Sequence, residues 1–266
     1  MDIHRRFVET NEAQLYVETA GSGFPLVLVH GFSLDTRMWD DQFAYLAQHY
    51  HVIRYDMRGF GQSSLPTQDS YSHSEDLHTL LNHLGVEAAY LVGLSMGGAV
   101  AVDFALTYPE SVRALILIDS GLSGFSWSPE HLALMGAIRQ QASQDGTQAA
   151  KETWLAHPFF AQAFRQPMVA ARLRQNMADY SGWHFVHADP GHFIEPPAIH
   201  RLSQITGPTL IIVGDNDVPD ILAMADMLAQ HVPSARKVVV AGSGHMVNME
   251  APHQVNEALL DFLRAL

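Results

Sequence analysis

Hydrophobic positions along the chain form short continuous runs that alternate with segments of helical spacing. Continuous apolar runs of this length are typical of buried strands, and they occur at residues 26–29, 51–56, 89–93, 112–119, 209–214 and 236–242. Residues 38–49, 70–84, 96–108 and 219–230 have helical periodicity, and a last helix begins near Pro252. Residues 5–10 and 13–19 alternate between apolar and polar, which predicts a hairpin. The alternation predicts an α/β fold with a mostly parallel sheet and helices on both faces.

The strand pattern disappears between Gly121 and about Leu202. Segments such as "SPEHLALMGAIRQQ" and "PMVAARLRQNMADY" have helical spacing there, with Gly- and Ser-rich residues before them and the Pro-rich "EPPAIH" after them. We therefore expect three stretches: residues 1–120 as the first part of a core domain, 121–202 as a helical insertion, and 203–266 as the rest of the core.

Composition and charge narrow the possible partners. With 47% hydrophobic and 16% charged residues, the 266-residue chain is typical of a compact globular protein. A net charge of −13 without basic clusters argues against a nucleic-acid partner. No cysteine is present, which excludes disulfides and a cysteine nucleophile. The N-terminus lacks the apolar core of a signal peptide, and residues 90–106 are too short for a membrane span, so we expect a cytoplasmic protein without a membrane partner.

One serine stands at the junction of a predicted strand and a predicted helix. The stretch "GLSMG" places Ser95 between Gly93 and Gly97, and it matches the G-x-S-x-G nucleophile elbow in the context that this motif requires. Glycines on either side allow a tight crossing, so that the serine can take a strained backbone conformation and project its hydroxyl above the sheet. A glycine-rich packing turn is the simpler interpretation of the five residues alone.

With these features the chain resembles the α/β-hydrolase family over nearly its whole length. "HGF" at residues 30–32 is similar to the oxyanion loop of that family, and "YDMRGFGQS" at 55–63 is similar to the turn after the following strand. "GDND" and "GSGH" resemble its acid and histidine loops. The resemblance implies an α/β-hydrolase sheet with a helical cap inserted after the sixth strand. The serine at the elbow indicates the serine-nucleophile branch.

A serine hydroxyl needs a base and an orienting carboxylate before it can act as a nucleophile at neutral pH. Among 16 histidines, His245 follows the strand "KVVV" through the flexible "AGSG", at the sheet edge where ligands bind in open α/β folds. The resemblance implies the chain order serine, acid, histidine. It selects Asp217, three positions after Gly214, as the acid. Asp119, at the end of "LILID", is the alternative, because some members carry the acid after that earlier strand.

Acyl transfer also requires donors for a developing oxyanion. The resemblance implies two backbone N–H groups, those of Phe32 in the "HGF" loop and Met96 directly after the serine. The amide of Met96 would lie at a helix N-terminus, where N–H groups point outward and the helix dipole favours negative charge.

Other patterns have simpler explanations. "RGFGQS" lacks the third glycine of a dinucleotide-binding motif, and the spacing of His184, His187 and His192 matches no zinc motif, so no cofactor and no metal are expected. The insertion contains a set of aromatic residues and methionines, of which most should form the core of the cap and a few should face the serine: Trp127, Met135, Trp154, Phe159, Phe160, Phe164, Met168, Trp183 and Phe185. Five arginines could bind a substrate carboxylate, although each is more often a solvated charge: Arg37, Arg139, Arg165, Arg172 and Arg174.

The sequence therefore predicts a serine hydrolase that cleaves a small carboxylic ester or lactone, acting as a monomer or a homodimer on a small-molecule substrate. "SLDTRMW" and "GSGHMVNMEAP" look most like enol-lactonases and related esterases. One alternative is a C–C bond hydrolase of aromatic breakdown, a group whose elbow often carries Asn where this chain has Leu94. Another alternative is a ligand receptor built on the same fold.

Overall fold

The centre of the protein is an eight-stranded sheet, seen in a computed structural model that describes residues 1–10 and 12–266. The strands are β1 (His4–Thr10), β2 (Ala13–Ala20), β3 (Pro25–Val29), β4 (His51–Tyr55), β5 (Ala89–Leu94), β6 (Val112–Ile118), β7 (Thr209–Gly214) and β8 (Ala235–Val240). They lie in the order β1-β2-β4-β3-β5-β6-β7-β8. β1 and β2 form an antiparallel hairpin, β2 pairs antiparallel with β4, and the other neighbours are parallel. The predicted fold class is confirmed.

Burial explains why the central strands are continuously apolar. β5 and β7 are covered on both faces, and nearly all of their residues are buried. A strand in that position needs apolar side chains on both faces, and it therefore shows no alternation. β8 at the sheet edge has only one fully buried residue, Val240. The site described below lies at the carboxyl ends of the central strands.

Ten α-helices occur in the part of the chain that the structure describes. They are α1 (Asp40–Leu46), α2 (His73–Leu84), α3 (Met96–Thr107), α4 (Pro129–Asp145), α5 (Thr147–Leu155), α6 (Pro167–Asp179), α7 (Trp183–Val186), α8 (Pro219–His231), α9 (Val247–Glu250) and α10 (Pro252–Arg264). α3 packs against β5 and β6, and α10 packs against α1. None of the described helices is both long and apolar enough to cross a bilayer.

Two helices begin later than their periodicity predicts. The segment expected to be helical from Met38 opens with a 3-10 turn over Thr36–Trp39, because the carboxylate of Asp35 accepts the N–H of Arg37 and tightens the turn. α2 begins at His73 rather than at Ser70. Its N-cap residue, Ser72, has an extended backbone, which ends the preceding loop at that point.

Helices α4 to α7 all lie between β6 and β7, as the loss of the strand pattern predicts. They are tied to the core by ion pairs as well as by apolar contacts. Arg37 of the core binds Asp179 at the end of α6 with an N–O distance of 2.7 Å, and Arg172 of α6 binds Asp41 of α1 at 2.6 Å. Both pairs are partly exposed to water, so each adds at most about 1 kcal/mol of stability.

Candidate active site

Ser95 lies at a sharp turn between β5 and α3. Its φ and ψ angles are 54° and −118°, a conformation that L-residues rarely adopt. The turn is possible because two neighbours have no side chain. A Cβ atom on Gly93 would lie 2.2 Å from the carbonyl oxygen of Gly97, and one on Gly97 would lie 2.3 Å from the carbonyl oxygen of Val29. The glycines therefore let α3 start directly above the ends of β3 and β5.

The serine hydroxyl is hydrogen-bonded to an imidazole that is itself held by a carboxylate. Ser95 Oγ lies 2.9 Å from Nε2 of His245, and Nδ1 of His245 lies 2.7 Å from Oδ2 of Asp217. The other carboxylate oxygen of Asp217 accepts the N–H of Val218 at 2.6 Å. In a neutral imidazole whose Nδ1–H donates to a carboxylate, Nε2 carries no proton and is able to accept the hydroxyl proton. The structure thus brings together three of the residues that the sequence singles out.

Asp119, the alternative acid, has a different position. It is completely buried and accepts the N–H of Gly214 at 2.9 Å and that of Val247 at 3.4 Å, and no described hydrogen bond joins it to His245. Burial, and then the nearby charge of Asp217, raise the pKa of Asp119 well above its usual value. Asp119 therefore links the end of β7 to the start of α9, whereas Asp217 is the residue that contacts the imidazole.

The two backbone amides predicted as oxyanion donors both border the space at Ser95. Met96 is the first residue of α3, whose initial N–H groups have no partner within the helix. Neither Met96 nor Phe32 uses its N–H in a hydrogen bond within the part of the chain that the structure describes. Phe32 is held in place by aromatic contacts from the insertion, including edge-on packing against Trp154 with ring centres 5.4 Å apart.

A buried carboxylate that the sequence analysis did not single out braces the histidine loop. The two oxygens of Glu250 accept the N–H of Gly244 at 2.6 Å and that of Met246 at 3.2 Å. These residues flank His245 on both sides. Burial raises the pKa of Glu250, and the two N–H donors oppose that change. In the sequence it is visible only as an acidic residue five positions after the histidine, in "HMVNME".

A cavity of about 390 Å³ opens beside the serine hydroxyl under the inserted helices. Four side chains from the aromatic and methionine inventory of the insertion line it: Trp127, Met135, Trp154 and Phe159. Phe159 also stacks on the imidazole of His245, with ring centres 4.0 Å apart. The cavity is also lined by three residues that no sequence pattern singles out: Phe125, His131 and Phe193. Their helical or loop spacing does not distinguish them from surface residues.

The cavity carries no fixed charge. Among the described lining residues there is no Lys, Arg, Asp or Glu, and the only titratable side chain is His131, whose pKa is lowered by burial. Arg37 and Arg172, two candidates for binding a carboxylate, are instead paired with aspartates as described above. Arg174 lies over the ring of Phe164, 5.0 Å from its centre. None of the five candidate arginines lines the cavity.

Comparison with known proteins gives consistent matches. A family model described as the alpha/beta hydrolase fold matches residues 25–252. The chain is 34% identical to the dihydrolipoyllysine-residue acetyltransferase component of the acetoin cleaving system of Pseudomonas putida, covering 91% of this chain and 64% of the relative. It is 31% identical to a 2-hydroxy-6-oxononadienedioate/2-hydroxy-6-oxononatrienedioate hydrolase of Paraburkholderia phymatum, covering 93% of this chain and 90% of the relative.

Two solved structures are similar over almost the entire chain. A thermophilic esterase from Thermogutta terrifontis has a TM-score of 0.81 and 29% identity, with 98% of each chain covered. The enol-lactonase from Burkholderia xenovorans LB400 has a TM-score of 0.81 and 26% identity, with 97% of this chain and 100% of the other covered. Relatives and structural neighbours are thus mainly hydrolases, with esterases and lactonases among the neighbours.

Proposed function

The chain belongs to the α/β hydrolase fold family of enzymes, and from that premise we propose that it is a serine hydrolase of small, uncharged carboxylic esters or lactones. The observation that carries the proposal is the hydrogen-bonded series Ser95, His245 and Asp217 at the edge of an apolar cavity. The esterase and lactonase activities named for the similar structures support the same reaction class.

In the proposed reaction Ser95 Oγ attacks the substrate carbonyl carbon while Nε2 of His245 takes its proton. The electron pair of the C=O bond moves to oxygen, and the amides of Phe32 and Met96 donate to that oxyanion. When the bond from carbon to the leaving oxygen breaks, His245 delivers the proton to the alkoxide, and an ester bond to Ser95 remains. Asp217 stabilises the imidazolium that forms in both steps.

The second half of the cycle repeats this chemistry with water. His245 takes a proton from a water molecule whose oxygen attacks the acyl carbon, and the resulting oxyanion is held by the same two amides. Collapse of the intermediate breaks the bond to Ser95 Oγ, which regains its proton from His245. The products are a carboxylic acid and the free enzyme.

Because the cavity carries no charge, it should bind neutral esters in preference to charged substrates. A buried carboxylate without a cationic partner is costly, and neither an arginine nor a lysine lines the cavity in the described part of the chain. The relative from Paraburkholderia phymatum is named for dioate substrates. A C–C bond hydrolase of such dicarboxylates would need cations at the site, so we favour ester or lactone hydrolysis over that alternative.

The test compares the wild-type protein with Ser95→Ala by following acid release in a pH-stat. Substrates are neutral aliphatic esters, two lactones and a dioate of the 2-hydroxy-6-oxo class. We expect ester or lactone turnover by the wild type and a loss of at least about 10³-fold in Ser95→Ala, because the remaining groups supply no nucleophile.

Covalent trapping provides a second readout that does not depend on substrate choice. An organophosphorus fluoride should phosphorylate Ser95 with loss of fluoride, and the added mass should be absent in Ser95→Ala. Ester turnover retained by Ser95→Ala would refute the mechanism. Cleavage of the dioate alone would favour a C–C hydrolase, and labelling without any turnover would favour a ligand receptor.

A further inference from the structure

Two cavities of very different size meet at Ser95. The larger, of about 390 Å³, lies under the inserted helices, and the smaller has a volume of only about 30 Å³. The side chains common to both are Phe32, Ser95, Trp154 and Phe159. A carbonyl carbon bonded to Ser95 Oγ would therefore have one substituent directed to each cavity.

Resting on the proposed function, we propose that the small cavity holds the alcohol portion of the ester and the large cavity holds the acyl portion. The substrate is then a methyl or ethyl ester of a larger, uncharged, apolar carboxylic acid. The assignment of the two cavities follows from the position of the general acid, and the size limit follows from the small cavity.

The leaving oxygen must lie beside the group that protonates it. Nε2 of His245 performs that role in the proposed reaction, and His245 and Met246 line the small cavity but not the large one. Met96 and Ala99, on the opposite side of the serine, line the large cavity but not the small one. The alkoxide that accepts the proton from His245 therefore departs on the small side, and the acyl chain lies along α3.

The walls of the small cavity consist almost entirely of buried residues. Of its described lining residues, all are buried except Phe32 and Ser95, which are shared with the large cavity. The partly exposed portion of its lining is thus the portion next to Ser95. Phe160 forms part of its wall and is itself fixed by edge-on packing against Trp154, with ring centres 5.6 Å apart. With about 30 Å³ against about 390 Å³, the small cavity has less than a tenth of the volume of the large one, so we assign to it the shortest alcohol portions, methyl and ethyl.

The large cavity, in contrast, has an exposed residue in its lining. Phe193, which is 41% exposed, forms part of its lining, so the cavity reaches the surface at that residue. A substrate can therefore enter with its acyl chain in the large cavity, and a long acid can extend toward the opening. On the other side of Ser95 the small cavity offers a long alcohol far less room.

Two esters that are isomers of each other test the assignment of the cavities. Methyl hexanoate and pentyl acetate have the same composition and differ in which side of the carboxyl group carries the chain. We expect kcat/KM to be at least tenfold higher for methyl hexanoate, because each methylene that does not fit is disfavoured by roughly tenfold or more. In a hexanoate series, activity should fall from methyl and ethyl to n-butyl. Equal rates for the two isomers, or a preference for pentyl acetate, would overturn the assignment.

A matched pair of variants tests which of the two cavities limits the length of the alcohol portion. Phe160→Ala enlarges only the small cavity, and Met135→Ala enlarges only the large one. We expect Phe160→Ala to raise the n-butyl to methyl ratio for hexanoates by about tenfold, and Met135→Ala to leave that ratio within twofold. An unchanged ratio in folded Phe160→Ala contradicts the proposal. If that variant fails to fold, Leu34→Ala removes another side chain of the same wall and carries the same expectation.

Failure of this inference differs from failure of the proposed function. If neither isomer is cleaved and Ser95 is not labelled by the organophosphorus fluoride, the serine hydrolase itself is refuted. If hydrolysis depends on Ser95 but pentyl acetate is the better substrate, the reaction class stands and the cavity assignment is wrong.

Discussion

Replacement of Asp217 by asparagine tests the core of the mechanism, and the structure determines how the amide must orient. Oδ1 of Asp217 accepts the N–H of Val218, so in Asp217→Asn the amide oxygen should occupy that position. The NH₂ group then faces Nδ1 of His245, where Oδ2 now accepts at 2.7 Å. Nδ1 must become the acceptor, which places the imidazole proton on Nε2. An imidazole with that tautomer cannot take the proton of Ser95.

The expected loss is large. A wrong tautomer of a triad histidine lowers kcat by about 10⁴-fold, which corresponds to about 5.4 kcal/mol of transition-state stabilisation. KM should change little, because Asp217 lines neither of the two cavities. The assay is steady-state hydrolysis of a methyl ester at neutral pH, with circular dichroism spectra to show that the variant is folded.

Asp119→Asn is the matched control. Asp119 makes no described hydrogen bond to the imidazole, and Asp119→Asn keeps an oxygen for the N–H of Gly214, so the change alters only the weak contact with the N–H of Val247 at 3.4 Å. We therefore expect less than about a tenfold loss of kcat, equivalent to about 1.4 kcal/mol. A greater loss in Asp119→Asn than in Asp217→Asn would refute the assignment and place the acid after β6.

Two further predictions concern stability. Gly97→Ala should destabilise the fold by several kcal/mol or prevent folding, because its Cβ would meet the backbone of Val29. Gly136→Ala is the control: this position in α4 has open space around it, so the change should stabilise the fold by up to about 1 kcal/mol. Equal free energies of unfolding in urea for the two variants would contradict this prediction. Burial lowers the pKa of His73 from 6.5 to about 3, so its stabilising contribution is complete above pH 6.5 and is lost as the pH falls toward 3. Between pH 7.5 and 5.0 the wild type should lose about 2 kcal/mol more unfolding free energy than His73→Leu, and parallel pH profiles would show that His73 is not neutral in the fold.

Residues whose roles depend on local chain geometry could be predicted from the sequence. The turn at Ser95 needs only a buried strand, two small neighbours and a helix, and all three leave a local pattern. Asp217 and His245 lie in the loops that follow β7 and β8, which are parallel neighbours, so the carboxyl edge of the sheet places them near each other once the strand order is assumed.

The lining of the site could not be predicted in the same way. Met168, which belongs to the apolar inventory of the insertion, is 78% exposed, whereas Trp154 is buried beside the serine. Both lie in segments of helical spacing, and which face turns inward depends on packing between distant segments. Glu250 was missed for a related reason, since a buried carboxylate is recognised by the N–H groups that it accepts rather than by its neighbours in sequence.

The contact between the insertion and the core has an evolutionary consequence. Nε1 of Trp154 in α5 donates to Oγ of Ser33, which has a left-handed backbone with φ of 63° directly after Phe32. The inserted helices therefore support the loop on which the proposed oxyanion donor lies, in addition to covering the substrate. Divergence of the insertion toward a new substrate must preserve an indole at position 154, or replace its support. A substitution at position 154 therefore alters the lining of the cavity and the support of the Phe32 loop at the same time.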